Sequence, residues 1–264
     1  MDITSTANPR VKNAAKLRYR KHREQSGLTI IDGWREVSRA RETGVVWKEC
    51  FVCPELLELF AGQQAVDQLT ASGGITVTEH VYKKLCFGDR KEGVTAVIRA
   101  PHVGMDEQGF EPADPIVVLD HIEKPGNIGA ILRSCDGAGV KTVIVADSRT
   151  DLFNPNVIRA STGVIFSLNL MQGTAQQTAD LLRRHDVRVL AATPEKSRTY
   201  FTADMTGRIA FVLGAEDAGL QDFWLEQAHE RITVPMSGKA DSLNVSVTAA
   251  LLIYEAFRQR RAAA

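Results

Sequence analysis

The sequence predicts an α/β protein in two parts: a small N-terminal α/β domain over residues 1–103 and a larger C-terminal domain over 115–264 built on a mostly parallel sheet. Three observations lead to this. Short apolar runs alternate with helical stretches along the whole chain, as when helices pack on sheets. The run Ile116-Val117-Val118-Leu119 is continuously apolar, which suits a strand covered on both faces, as in parallel sheets. Between the parts, residues 104–114 carry Gly104, Gly109, Pro112 and four acids (Asp106, Glu107, Glu111, Asp114) without apolar periodicity, which is linker composition.

In the first part, Asn8-Pro9 breaks the leading segment and 11–24 reads as one basic helix. Strands follow at 28–32, 45–52, 75–78 and 94–99, with helices at 33–43, 55–69 and 79–86. In the second part the strand at 116–119 leads into a Gly-Asn turn and a helix over 128–138. Strands are expected at 142–146, 166–170, 187–192, 209–213 and 232–234, and helices at 156–161, 174–185, 220–229 and 245–261.

Of the 264 residues, 44% are hydrophobic and 24% charged, an ordinary globular balance. No apolar run approaches the roughly 20 residues of a bilayer-spanning helix, and the first nine residues are polar, so no membrane partner and a cytoplasmic location are expected. Cys50 and Cys53 form a C-x-x-C, but in an apolar strand-like run with no second pair or His pair to complete four ligands, so no metal site is expected. Net charge is zero, yet Arg10, Lys12, Lys16, Arg18, Arg20, Lys21 and Arg23 stand against the single acid Glu24. Such a cluster fits nucleic-acid phosphates and fits a solvated helix face equally well.

Ligands of parallel sheets bind beyond the carboxyl ends of the strands, so the loops there matter most. Three are unusual. Lys124-Pro125-Gly126-Asn127 leads into a helix carrying Arg133; Gly126 permits a tight turn, and Asn127 reads as a helix N-cap or as a site residue. Gly214-Ala215-Glu216 follows a buried strand; Gly214 lets a ligand approach the backbone, and Glu216 reads also as a first-turn acid. Val234-Pro235-Met236-Ser237-Gly238 precedes Ser242-Leu243-Asn244, where Ser242 or Asn244 can cap the last helix.

In this order and spacing, the three loops resemble the three motifs of the SpoU/TrmH family of RNA ribose 2′-O-methyltransferases, within the SPOUT superfamily. The first part resembles the family's N-terminal RNA-binding domain, a ribosomal-protein-like fold, through Ser5-Thr6-Ala7-Asn8-Pro9-Arg10, Ile31-Asp32-Gly33 and Glu92-Gly93-Val94. The resemblance implies a SPOUT domain with a deep trefoil knot, S-adenosylmethionine bound in that knot, and a homodimer formed through the methyltransferase domain. Asn127, Arg133, Glu216, Ser242 and Asn244 match the family's catalytic positions; Thr193, Gly214, Val234, Met236 and Leu243 match its cofactor pocket. Arg159 looks like an active-site or phosphate-binding arginine of related resistance-type enzymes. With Arg10, Lys12, Lys16, Arg18, Arg20 and Lys21 it forms the expected RNA-binding set.

Methyl transfer to a hydroxyl needs alignment and loss of a proton. An arginine at 133 suits charge stabilisation better than base catalysis, because its pKa lies above ~12. The expected substrate is large-subunit ribosomal RNA. The alternatives are a transfer-RNA ribose methyltransferase and a non-catalytic RNA-binding protein; the intact motif residues speak against the latter. A nucleotide-dependent oxidoreductase is excluded, since no G-x-G-x-x-G follows the first strand of either part.

Overall fold

The computed structural model describes residues 2–87, 90–147, 150–194, 197–215 and 218–263. Its helices are α1 Pro9–Lys16, α2 Arg20–Ser26, α3 Trp34–Glu42, α4 Pro54–Ala61, α5 Gln63–Ala71, α6 Glu79–Leu85, α7 Pro125–Gly137, α8 Pro155–Ala160, α9 Ala175–Arg184, α10 Asp222–Gln227 and α11 Val245–Ala263. Its strands are β1 Leu28–Asp32, β2 Trp47–Val52, β3 Ile75–Thr76, β4 Val94–Arg99, β5 Ile116–Asp120, β6 Thr142–Ala146, β7 Asn169–Gly173, β8 Arg188–Ala192, β9 Arg198–Thr199, β10 Ile209–Leu213 and β11 Glu230–Thr233. The chain divides into two compact units, Met1–His102 with Asp151–Ser167, and Val103–Thr150 with Leu168–Ala264.

The first unit holds a four-stranded sheet in the order β1-β4-β2-β3. Strand β4 runs antiparallel to β1 and β2, and β2 pairs with β3 in parallel. Its core includes Val11, Leu17, Ile30, Phe51, Tyr82 and Leu85, and each such side chain removed from water contributes roughly 1.5–3 kcal/mol. The single helix expected over 11–24 is two. Arg23, only 6% exposed, donates from Nη1 to Leu17 O and Arg18 O, each at 2.8 Å, so its guanidinium caps the carbonyls where α1 ends. The helix expected over 55–69 also divides, at Gly62, whose φ of +83° lies in the left-handed region.

Segment 151–167, far along the chain, packs with this first unit. Thr29 Oγ1 donates to Phe153 O at 2.6 Å, and Arg23 pairs with Asp151 at 2.7 Å. The strand expected at 166–170 starts later, because residues 164–166 form a 3-10 turn after Gly163 at φ +84° and β7 begins at Asn169.

The second unit is a seven-stranded sheet in the order β7-β6-β5-β10-β8-β11-β9, with every pairing parallel. The mostly parallel sheet read from the sequence is therefore the observed one. Strands β5, β6 and β10 are buried throughout, which is why they read as unbroken apolar runs. The segment 104–114 has the irregular backbone its composition predicts, yet it is not a free tether. Phe110 is buried in the core of the second unit, Gln172 N donates to Gly104 O, and Glu107 pairs with Arg184 and His185. Among the described residues no helix is long and apolar enough to cross a membrane.

Candidate active site

Parallel pairing brings the carboxyl ends of β8, β10 and β11 to one edge of the second unit. There they line a cleft of about 520 Å³ together with the start of α11. This lies within the usual size of small-molecule sites, ~300–1,000 Å³. The five residues matched to a cofactor pocket, Thr193, Gly214, Val234, Met236 and Leu243, all line it, and so does Ser242.

The local geometry follows from the sequence. Beyond β8, Thr193 N donates to Ile232 O at 2.9 Å, which fixes one wall. Beyond β10 the chain folds back on itself: Gly219 N donates to Ala215 O at 2.9 Å, and a Cβ on Gly214 would sit 2.2 Å from Gly219 O. Only glycine permits that return at 214. The walls are apolar side chains such as Leu213, Ile232, Val234 and Leu252, with hydroxyls from Thr193, Thr233, Ser242 and Thr248 between them. Among the described lining residues Asp241 is the single charged one. An apolar slot with hydroxyls and one negative charge fits a flat, hydroxylated, cationic ligand.

Helix α7 begins at Pro125, earlier than expected, with Lys124 rather than Asn127 at the cap. Gly126 therefore lies in the first helical turn rather than in a tight turn, and Asn127 is not a cap. Its Oδ1 accepts from Asn244 Nδ2 at 3.2 Å, joining two motif positions from opposite ends of the domain. Asn244 is the cap of α11: its Oδ1 accepts from Ser246 N at 2.9 Å and Ser246 Oγ at 2.6 Å. Its oxygen therefore caps α11 while its nitrogen reaches Asn127. At the other end of the pair, a Cβ on Gly137 would lie 2.8 Å from the Tyr254 hydroxyl. Both contacts are offset by the same number of residues, so α7 and α11 run side by side in parallel.

Arg133 is exposed on α7, in its third turn. It stands roughly 9 Å along the axis from Asn127, has no ion-pair partner among the described residues, and is not among the residues lining the cleft. Helical side chains lean towards the N-terminus, so its reach is back towards Asn127. Glu216 lies outside the described residues.

Sequence reasoning missed Asp120. It is fully buried at the end of β5, accepts from Gln221 N at 3.3 Å and Gln221 Nε2 at 3.0 Å, and lies 3.0 Å from His121 Nδ1. This ties the far end of the 214–221 loop to the neighbouring strand. An acid closing an otherwise apolar strand was the available signal, because a buried carboxylate must be hydrogen-bonded. Asp120, His121 and Asp147 bring ligand-type atoms within 4.8 Å of one another. Both Asp120 oxygens accept from Gln221, and Asp147 Oδ2 accepts from Ala175 N at 3.0 Å.

The basic segment of the first unit is partly spent on its own fold. Arg18 donates to Lys84 O and Cys86 O and lies over the Phe87 ring, 4.8 Å from its centre. Arg10 pairs with Glu49 and Arg20 with Glu24, both at 2.6 Å. Lys12, Lys16 and Lys21 are exposed and have no ion-pair partner among the described residues. Arg159, on α8, donates from Nη1 to Phe87 O at 2.9 Å and sits near Asp32. Burial pushes the Asp32 carboxyl up to about 6, against the pull of the Phe87 amide and the Arg159 guanidinium.

Residues 114–254 match the family described as the SpoU rRNA Methylase family, and residues 8–96 match the MRM3-like substrate binding domain. Together the parallel α/β domain and its companion define an RNA 2′-O-ribose methyltransferase. The chain belongs to the SpoU rRNA Methylase family. It is 27% identical over 252 residues to the 23S rRNA (guanosine(2553)-2′-O)-methyltransferase RlmP of Bacillus subtilis, covering 96% of this chain and 97% of that one. A crystal structure of an RNA 2′-O ribose methyltransferase is 41% identical, with a TM-score of 0.86 over 99% of this chain and 100% of that one. The SpoU methyltransferase AviRb of Streptomyces viridochromogenes, in complex with AdoMet, is 27% identical, with a TM-score of 0.82 over 96% of this chain and 98% of that one.

Proposed function

We propose that this protein transfers a methyl group from S-adenosylmethionine to a ribose 2′-hydroxyl of large-subunit ribosomal RNA. The observation that carries this reading is the convergence of the loops after β8, β10 and β11 on one cleft, beside the Asn127–Asn244 hydrogen bond. When bound, S-adenosylmethionine supplies an activated methyl on a positively charged sulfonium. The apolar walls exclude water and hold a purine face, while Thr193, Thr233 and Ser242 offer hydroxyls to a ribose and Asp241 complements positive charge. The trefoil knot implied by the family resemblance belongs to this proposal, with the segments that follow β10 and β11 as its loops.

Asn127 and Asn244 are assigned to position the acceptor ribose. Arg133 is assigned to the phosphate beside the reactive hydroxyl, where a permanent cation lowers the cost of the developing alkoxide. Glu216 is assigned to the same centre on the resemblance alone, and Arg159 with the exposed lysines to RNA outside it. The same reading places the protein in the cytoplasm.

A homodimer is part of the proposal. Helix α11 presents Val247 and Tyr254 at the surface, and with Tyr200 they border a shallow apolar cleft. A second copy is the occupant, and Tyr254→Arg should give a folded monomer in sedimentation.

The test is transfer of tritiated methyl from S-adenosylmethionine to purified RNA fractions. Label in 23S RNA supports the reading. Label in transfer RNA alone favours the transfer-RNA alternative, and cofactor binding without transfer to any RNA contradicts the proposal.

A further inference from the structure

The first unit contains a second cavity, of about 340 Å³, bounded by α1, α2 and the sheet. Its apolar side is Ala14, Leu17, Leu28 and Val97. Its polar side is Asn13 and Lys16 from α1, His22 and Gln25 from α2, and Glu49 from β2. This is a mixed lining: a dry surface on one side, hydrogen-bonding groups on the other.

The polar groups are open. Among the described residues the side chains of Asn13, Lys16, His22 and Gln25 make no hydrogen bond or ion pair. Glu49 Oε1 accepts from Arg10 Nε at 2.6 Å, and its Oε2 has no protein partner among those residues. Ser26, by contrast, is committed, with Oγ donating to His22 O at 2.7 Å and accepting from Leu28 N at 3.2 Å. The cavity therefore offers a carboxylate oxygen, two amides and an imidazole.

The setting is basic. Lys12 and Lys16 lie one helical turn apart on α1, and Lys21 opens α2, all exposed. Sequence-specific RNA recognition works chiefly on unstacked bases, read along their edges and stacked on aromatic rings, while neighbouring cations hold the backbone. A carboxylate beside amides selects among the four bases. Guanine alone presents two adjacent donors, N1–H and N2–H, to a carboxylate, with the O6 acceptor next to them for an amide N–H.

We propose that this cavity receives one unstacked guanine of the RNA substrate, read by Glu49 with Asn13 and Gln25, while Lys12 and Lys16 take the flanking phosphates. The proposal rests on the RNA-methyltransferase reading above and adds to it a base-specific subsite in the first unit.

The test uses the full chain and fluorescence anisotropy with labelled hexauridylates carrying one central guanosine, adenosine, cytidine or uridine. The guanosine hexamer should bind about tenfold more tightly than the other three. Glu49→Gln, which keeps an oxygen for Arg10, should remove most of that preference, and Gln25→Ala should reduce it. Neither should change the dependence of binding on salt. Lys16→Ala should weaken all four hexamers alike and reduce the salt slope by about one phosphate contact. Unchanged melting curves will show that these surface variants fold.

Equal binding of the four hexamers by the unaltered protein, or retention of the guanosine preference by Glu49→Gln, overturns the subsite. If either occurs while the protein still methylates ribosomal RNA, the broader reading stands and only the subsite falls. If the protein neither binds the hexamers nor methylates any RNA, both fall.

Discussion

Substituting Gly214 by alanine tests the geometry of the cleft most sharply. The new Cβ would lie 2.2 Å from Gly219 O, 2.3 Å from Gly219 C and 2.5 Å from Leu220 N. All three are backbone atoms, so no side-chain rotation relieves the clash. Restoring an ordinary contact of 3.4 Å requires the returning arm of the loop to move by about 1.2 Å. That arm is tethered through Gln221 to the buried carboxylate of Asp120, so movement there also disturbs those hydrogen bonds. Overpacking of this kind typically costs ~1–3 kcal/mol of stability, and a misplacement of about 1 Å in an aligned site costs on the order of 100-fold in rate. Gly214→Ala should therefore fold with a somewhat lower melting temperature, bind S-adenosylmethionine at least tenfold more weakly in calorimetry, and transfer methyl about 100-fold more slowly. Cofactor affinity and rate within twofold of the parent would refute the claim that this loop forms a wall of the binding site.

Asn244→Asp keeps the oxygen that caps α11 but replaces the nitrogen that donates to Asn127; melting should change by less than ~0.5 kcal/mol, while kcat falls tenfold or more. A matching loss of stability would make the residue a cap and nothing else. Arg133→Lys should retain more activity than Arg133→Ala, with cofactor affinity unchanged in calorimetry; wild-type rates from both would remove Arg133 from the site. Asp32 has its carboxyl raised from 3.8 to about 6 by burial, so the folded state favours its protonated form. Its contribution is present below pH 4 and is lost as pH rises through 6, a difference of up to about 3 kcal/mol. Thermal melts of the parent should show this loss between pH 4 and 7, and Asp32→Asn should flatten it; identical pH profiles would contradict the assignment.

The sheet of the second unit was legible because its strands are buried on both faces, and runs such as 142–146 and 209–213 can hardly be read otherwise. The helix breaks near Leu17 and at Gly62 were not. The first depends on Arg23 reaching back to the carbonyls of Leu17 and Arg18, a tertiary contact that local pattern does not encode. Local pattern also put Asn127 at a cap, since nothing in it reveals a partner at Asn244, over a hundred residues away. The basic cluster shows the same limit. Charge along the chain marks the segment, but only the fold tells that Arg18 is held by backbone carbonyls and the Phe87 ring while Lys12, Lys16 and Lys21 stay exposed. That Thr193, Gly214, Val234, Met236 and Leu243 share one cleft was easier to foresee, because they follow strands or precede a helix, where parallel topology alone predicts convergence.

The central claim is that the methyl acceptor is a ribose 2′-hydroxyl of large-subunit ribosomal RNA. Unmodified 23S RNA, incubated with the protein and S-adenosylmethionine, can be digested to nucleosides and resolved by mass spectrometry. One 2′-O-methylnucleoside is expected, near one equivalent per RNA molecule, and it should be absent from the Arg133→Ala reaction. A base-methylated nucleoside, or no methylated product from an enzyme that binds its cofactor, would contradict it.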